Sequence, residues 1–327
     1  MSNIYKYGKE IVWSLPLLFQ YEPVWATFKN IFNHFEIELP QINGFGCPAC
    51  AWAGGRSPAV YDEMNGKTLR RVFEYLKKLD VTPSFTFTCT TIPKEDFKNP
   101  YANYILDLAA EYDSHFIIYD DDLKDYIKNR HPNAYTVASV IKASLEFQGP
   151  TRKQNPTAEK ETEFYNKLLK EYDLVVVRPE YSRSTLATNP KLIDDISRVE
   201  VLINQPCIYE CPKMPDHYRY LEKYRFGIPN EDFKCARVGM PPKLALENTM
   251  IHSEELTKKL VQHGVRHLKI QGRGVGTLMN AHMLMLYNQM FRSDGNNYII
   301  YSDFLTNVLE KEAEYFTKEV WKENSAQ

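Results

Sequence analysis

Leu174-Val175-Val176-Val177 is an unbroken apolar run that ends at Arg178-Pro179. A strand with one wet face alternates polar and apolar side chains, because its side chains point to opposite faces in turn. A run without alternation needs cover on both faces, which is what flanking helices give a parallel sheet. The rhythm recurs along the chain. Apolar or β-branched runs predict strands at Glu10–Ser14, Phe35–Ile42, Ser84–Thr88, His115–Tyr119, Ala134–Ser139, Asp173–Arg178, Arg198–Asn204 and Arg266–Gln271. Helical patterns lie between them, so the chain reads as an α/β protein of the (β/α)8 TIM-like barrel class. Its 327 residues suit one barrel with insertions, since ~250 residues is the usual size. Residues 1–327 therefore read as a single barrel domain.

The helical signals are local. Leu69, Val72, Phe73 and Leu76 repeat at helical spacing within Thr68–Leu79. Ser253–His263 opens on a serine and two glutamates and stops at Gly264, a cap at each end. Asp121–Asn129 and Asn189–Ile196 read as shorter helices, and Tyr301–Trp321 as an amphipathic helix within a C-terminal segment 301–327. Phe147–Glu163 reads as a polar surface excursion before a helix. Gln205–Asn248 reads as a long insertion after the seventh strand, at the catalytic rim. Its aromatic residues, Tyr209, Tyr218, Tyr220, Tyr224, Phe226 and Phe233, argue against a disordered loop.

A formal net charge of −2 excludes a global basic surface for nucleic acid. No apolar run approaches the ~20 residues that span a bilayer. The N-terminus has no charged segment followed by an apolar one, so no secretory signal is read. The expectation is a cytoplasmic protein without a membrane partner, its six cysteines in a reducing compartment.

Those cysteines all follow predicted strands. Cys47 and Cys50 follow the second strand as C-x2-C, and Cys89 comes directly after Thr88. Cys207 and Cys211 follow Asn204 as C-x3-C, and Cys235 lies later in the insertion. In a barrel such connections share one rim. Thiolates suit Fe–S clusters and zinc. A four-thiolate cluster from Cys207, Cys211, Cys235 and either Cys47 or Cys50 is one reading. Structural zinc is a second, although no zinc-ribbon pair of spacings is present. Inert buried thiols are a third, and Cys89 suits that one best.

Other residues carry weaker signals. Arg56 follows a Gly-Gly turn and suits carboxylate or phosphate recognition, or is a surface arginine. Lys269 and Arg273 flank the end of the last strand; Lys269 is either catalytic or paired with a carboxylate. Glu180, after Arg178-Pro179, is a candidate general acid or base. Asn204 ends a strand and could orient a substrate. Asp120-Asp121-Asp122 reads as a helix cap rather than a metal site. His217 is a candidate ligand or proton carrier, and Gly272, Gly274 and Gly276 make a turn that could hold a phosphate. No Gly-x-Ser-x-Gly, His-Glu-x-x-His or Walker sequence is present.

Several segments, in order, resemble the peptidase U32 family of collagenase-like barrel proteins. They are Gly54-Gly55-Arg56, Phe116-Ile117-Ile118-Tyr119-Asp120, Tyr135-Thr136-Val137-Ala138-Ser139, and Val199-Glu200-Val201-Leu202-Ile203-Asn204 with Cys207, Cys211-Pro212 and His217-Tyr218. The last is Gly264-Val265-Arg266-His267-Leu268-Lys269-Ile270-Gln271-Gly272-Arg273. The likeness runs from Phe35 to Arg273. It implies a barrel and, as in several members, a [4Fe–4S] cluster, with a role in hydroxylating RNA or quinone precursors. The family's Lys-Ile-Glu-Gly-Arg has Gln271 in place of the acid here, and the cysteine spacing departs from the quinone-hydroxylation members.

The leading expectation is thus an Fe–S barrel enzyme or enzyme subunit, possessing Arg56, Glu180, Lys269 and Arg273 as site residues. It would act on a small anionic molecule or RNA by oxygen-independent hydroxylation. The alternatives are a zinc-dependent or peptidase-like hydrolase, and a non-catalytic barrel that binds a protein partner through the aromatic insertion.

Overall fold

The computed structural model describes residues 10–16, 33, 39–55, 66–223, 232–271 and isolated positions between 283 and 291. Eight parallel strands close into a barrel. They are β1 (Val12–Pro16), β2 (Gln41–Gly46), β3 (Val81–Phe87), β4 (His115–Ile118), β5 (Tyr135–Ala138), β6 (Leu174–Val177), β7 (Val199–Leu202) and β10 (His267–Lys269). Each pairs with the next around the ring, and β10 closes it between β7 and β1. The predicted fold class is the observed one.

Period-two alternation divides each strand between two environments. Trp13, Leu15, Phe85, Phe87, Phe116, Val175, Val177, Val199, Val201 and Leu268 belong to the large core shared with helix residues such as Leu69, Phe73, Leu76 and Ile105. Phe45, Ile117, Val137, Leu174, Val176 and Leu202 occupy the alternate positions and form a separate cluster, the packed upper lumen. Among the other inward positions are buried polar residues, Ser14, Asn43, Ser84, Thr86, Glu200 and Lys269.

The helices between strands are α1 (Gly66–Lys78), α2 (Pro100–Glu111), α3 (Asp121–Arg130), α4 (Val140–Phe147) and α5 (Ala158–Glu171). Asp120 caps α3 by accepting from the Leu123 N–H at 2.8 Å, so the acidic run does what capping chemistry predicts. The stretch Phe147–Glu163 is only in part a loop. Thr157 caps α5 through the Lys160 N–H, and the helix runs from Ala158.

Three expectations need correction. The second strand begins at Gln41, not Phe35; residues 39 and 40 precede it unpaired, and residues 35–38 lie outside the described set. Asn189–Ile196 forms no α-helix but two 3-10 turns, Pro190–Leu192 and Ile196–Arg198. The first ends where Ile193 turns extended, and Asp195 caps the second by accepting from the Ser197 N–H. The seventh strand ends at Leu202. Residues from Asn204 onward leave the barrel as β8 (Asn204–Ile208), which pairs antiparallel with β9 (Thr249–Ile251). The predicted C-terminal helix, 301–327, lies outside the described residues. No helix among the described residues is long and apolar enough to cross a membrane.

The β8–β9 ribbon is the neck of the insertion, and α6 (Met214–Glu222) folds back from it onto the barrel loops. Glu222, at its end, accepts from the Thr90 N–H at 2.8 Å and the Thr91 hydroxyl at 3.3 Å. Gly55, at φ +80°, lies against Leu221 so closely that a Cβ there would stand 1.6 Å from the Leu221 carbonyl oxygen. Gly149, at φ +74°, approaches Pro212 and Pro215 in the same way. The insertion is thereby fastened to the loops after β2, β3 and α4. A helix, α7 (Glu254–Gln262), capped by Ser253, then leads to β10.

Two predictions follow from this packing. Gly55→Ala meets both a left-handed backbone and an immovable carbonyl, so it is expected to destabilise by at least ~2 kcal/mol. Urea unfolding together with faster proteolysis within 205–248 would read this; a wild-type urea midpoint would refute it. His115, stacked on Tyr135 at 4.1 Å, has its pKa pushed by burial, and then by His267, from 6.5 to about 4. A folded pKa below the unfolded one means that the unfolded chain takes up a proton first. The stability contributed by neutral His115 is complete above 6.5 and is lost as the pH falls toward 4. His115→Gln should therefore flatten the fall in stability across that window, by up to about tenfold in the unfolding constant per pH unit. Equal slopes in the two proteins would refute the assignment.

Candidate functional site

Inside the barrel, β7, β10 and β1 are neighbours, with Lys269 level with Leu202 on one side and Ser14 on the other. Their inward residues make a buried chain. Lys269 Nζ donates to Glu200 Oε2 at 2.8 Å, and the Ser14 hydroxyl donates to Glu200 Oε1. Burial acts to raise the Glu200 pKa, but the Lys269 ammonium and the Ser14 hydroxyl outweigh it and hold the carboxyl below its ordinary value. Lys269 Nζ also sits 4.3 Å from the centre of the Phe45 ring on β2, a cation–π distance.

Above this chain is a cavity of about 100 Å3 at the C-terminal ends of the strands. Phe45, Thr86, Ile117, Val176, Leu202 and Lys269 of the strands line it, with Thr88, Ser139 and Gln271 from the loops that follow. Tyr218 of α6 lines it from the insertion, so the insertion forms part of its wall. Thr86 Oγ1 and Gln271 Oε1 are buried without hydrogen-bond partners, as are Asn43 Oδ1 and His267 Nδ1 on inward strand positions. Orphaned polar atoms of this kind are rare in native interiors and need an explanation such as a bound water or ligand. Larger depressions occur elsewhere, one by Asp80–Pro83 near the opposite end of β3 and one an open shelf along α5. Neither contains a comparable buried charged pair.

Of the sequence candidates, Lys269 lies in the cavity wall and its pairing with a carboxylate is realised. Glu180 is buried away from it. Its Oε1 accepts from Gln148 Nε2 at 2.7 Å and from the Glu210 N–H at 3.3 Å, and burial raises its pKa. It belongs to a second polar cluster. There Arg178, wholly buried, donates twice to Glu161 at 2.9 and 3.2 Å and reaches Glu210 at 3.4 Å. This cluster holds the insertion to β6 and α5. Asn204 does not face a substrate: its side chain donates to the Gln271 carbonyl at 2.8 Å and accepts from the Gln271 N–H at 2.6 Å. It fixes the end of β10 instead. His217 stacks on Phe233 at 4.8 Å within the insertion. Arg56, Arg273 and the glycine turn at 272–276 lie outside the described residues.

The cysteines fall at three places. Cys47 and Cys50 are buried with their sulfurs 3.8 Å apart. Cys89 is buried with its thiol 3.8 Å from Glu222 Oε2. In the insertion, burial raises the Cys211 pKa, and Cys235 is near enough to add to the effect; Cys207 lies in β8. Among the described residues no three His, Cys, Asp or Glu side chains are grouped to hold a metal ion. The donor set that a four-thiolate cluster or a structural zinc needs is not assembled among those residues.

Glu200 escaped the sequence reading, although a glutamate between Val199 and Val201 in an apolar strand was its signal. Ser14 gave none. Ser182 and His252 were also missed, with Oγ and Nε2 2.8 Å apart. The pair has the composition of a nucleophile and its base, but both residues are buried, and Ser182 Oγ also donates to the Pro179 carbonyl at 2.9 Å. His252 Nδ1 lies 3.1 Å from the Met250 carbonyl, and burial takes its pKa down to about 4. This is a satisfied core pair that ties β9 to the turn after β6.

No family model and no curated protein matches this sequence. Among solved structures, the chain is similar to one described as the U32 peptidase Mk0906, with a TM-score of 0.48 and 10% sequence identity over 80% of this chain and 92% of that one. At that identity the likeness concerns the fold alone, and the closed barrel rests on its own strand pairing.

Proposed function

We propose that the cavity at the barrel mouth is an enzyme site for a small organic anion, with Lys269 as the group that binds its oxygen. The observation that carries this reading is the buried Lys269–Glu200–Ser14 chain, which ends in an ammonium at the wall of the cavity. Lys269 has three N–H donors and spends one on Glu200. A second can reach a carboxylate, enolate or carbonyl oxygen placed above it. Glu200 fixes the ammonium in position, so little reorganisation is needed when charge develops on that oxygen.

The remaining wall fits the same class of ligand. Phe45, Ile117, Val176 and Leu202 offer an apolar surface, while Thr86 and Gln271 add polar side chains to the wall. A volume near 100 Å3 matches about three waters, or a molecule of a few heavy atoms. On size, the reading favours a small molecule over RNA. It contains no redox step, and the hydroxylation implied by the family resemblance forms no part of it.

Calorimetric titration with small mono- and dicarboxylates and with inorganic phosphate tests the site. Lys269→Met should weaken the tightest binder by about 10- to 100-fold, the worth of a hydrogen bond to a charged group. Because that change leaves Glu200 buried and unpaired, a loss of ~3–5 kcal/mol in stability is expected beside it. The double variant Lys269→Met with Glu200→Gln should recover much of the stability and none of the affinity. Wild-type affinity in that double variant would refute the role of Lys269. A bound anion that stays chemically unchanged over long incubation would leave a binding barrel and remove the enzymatic part of the reading.

A further inference from the structure

We propose that Cys47 and Cys50 form a two-electron dithiol–disulfide couple at the rim of the barrel mouth. Their two sulfurs stand 3.8 Å apart, and a disulfide needs about 2.05 Å. Rotation of one side chain closes much of such a gap, and only two residues, Pro48 and Ala49, separate the pair. That is the spacing of short redox loops, in which the second sulfur is always at hand to resolve what the first one forms.

The local backbone holds this arrangement in place. Cys47 follows directly on β2, two residues after Phe45 of the cavity wall. The Ala53 N–H donates to the Cys50 carbonyl at 3.1 Å, which closes a turn, and the Cys89 N–H donates to the Trp52 carbonyl at 3.2 Å, which pins that turn to the end of β3. Trp52 itself is wholly buried. The thiols are therefore kept adjacent by main-chain bonds. No third His, Cys, Asp or Glu is grouped with them as a metal site among the described residues. The pair has the geometry to bond to itself.

Burial selects the oxidant. Cys47 and Cys50 are 3% and 6% exposed, so the oxidant this couple takes is a small hydroperoxide rather than a bulky disulfide. One thiol gives up its proton and its thiolate attacks a peroxide oxygen; the O–O bond breaks, leaving a sulfenic acid, and the departing hydroxide takes up that proton to leave, from hydrogen peroxide, as water. The second sulfur attacks the sulfenic sulfur; the S–O bond breaks as the S–S bond forms, and the hydroxide leaves with the second thiol's proton as another water. The two thiols lose two electrons and the peroxide gains them. A small dithiol reverses the change by thiol–disulfide exchange. The turn that carries the couple leads to Gly55, which abuts α6 of the insertion, so the oxidised state would be read at the wall of the mouth.

The test uses the full-length protein, reduced with dithiothreitol, exposed to stoichiometric hydrogen peroxide, then unfolded in guanidinium chloride, blocked with N-ethylmaleimide and digested with trypsin. The peptide Asn30–Arg56 contains both cysteines and no other. The expected result is loss of both alkylation sites and of two hydrogens from that peptide, reversed by dithiothreitol and absent in Cys47→Ser and Cys50→Ser. Full double alkylation after peroxide, or a mixed linkage to another cysteine peptide, would overturn the proposal. So would iron bound in an anaerobic preparation and lost in Cys47→Ser, because the pair would then be metal ligands.

Discussion

The seam between β7, β10 and β1 contains both the shortest strand of the ring and a buried charged pair. β10 spans three residues, His267–Lys269, yet it must pair on both edges to close the barrel. The buried bond from Lys269 to Glu200, with Ser14 on the other carboxylate oxygen, joins all three strands from the inside. Two isolated charges could not remain in this interior, because each would cost several kcal/mol without its partner. Their coexistence requires the three strands in register. The register in turn places an ammonium in the cavity wall, so closure of the fold and the chemistry of the mouth have one cause.

The insertion depends on a second set of buried polar bonds. Arg178 at the end of β6 meets Glu161 of α5 and Glu210 of the insertion, and Glu222 receives the backbone of the loop after β3. Positive-φ glycines at 55 and 149 let main chain meet main chain where a side chain would not fit. These bonds bring Tyr218 to the cavity wall. Exposed apolar residues on the insertion, Tyr209, Val238, Leu244 and Ile251, lie on the same excursion from the barrel. A segment of this length would be a liability as a loose loop; held at its neck by β8–β9 and at its far side by Glu222, it becomes part of the mouth.

Most of the barrel was legible because its signal is local. An apolar run such as Leu174–Val177 states its own burial, and seven of the eight predicted strands overlap their observed positions by most of their length. The second was displaced because Phe35–Ile42 resembles a strand in composition, while the barrel uses the glycine-containing Gln41–Gly46. Helix α2 went unread although Asn99-Pro100 is a capping signature, with Asn99 Oδ1 accepting from the Ala102 N–H at 2.9 Å. The site was legible only in part. Lys269 could be named from its place at the end of the last strand, but its partner Glu200 lies 69 positions away. No local pattern specifies which strand will stand beside which.

The cysteines show the same limit from the other side. A strand-to-helix connection guarantees the rim, but the rim of an eight-stranded ring is wide. Cys47 and Cys50 are close because two residues separate them. Cys211 and Cys235 are near enough to interact because the insertion folds on itself. Cys89 is directed at Glu222, a carboxylate occupied in binding backbone. Shared topology brings side chains to the same end of a barrel; only a further constraint, such as a short sequence link or a buried charge pair, brings them within bonding distance. Lys269 and Glu200 meet that condition through charge, and Cys47 and Cys50 meet it through spacing.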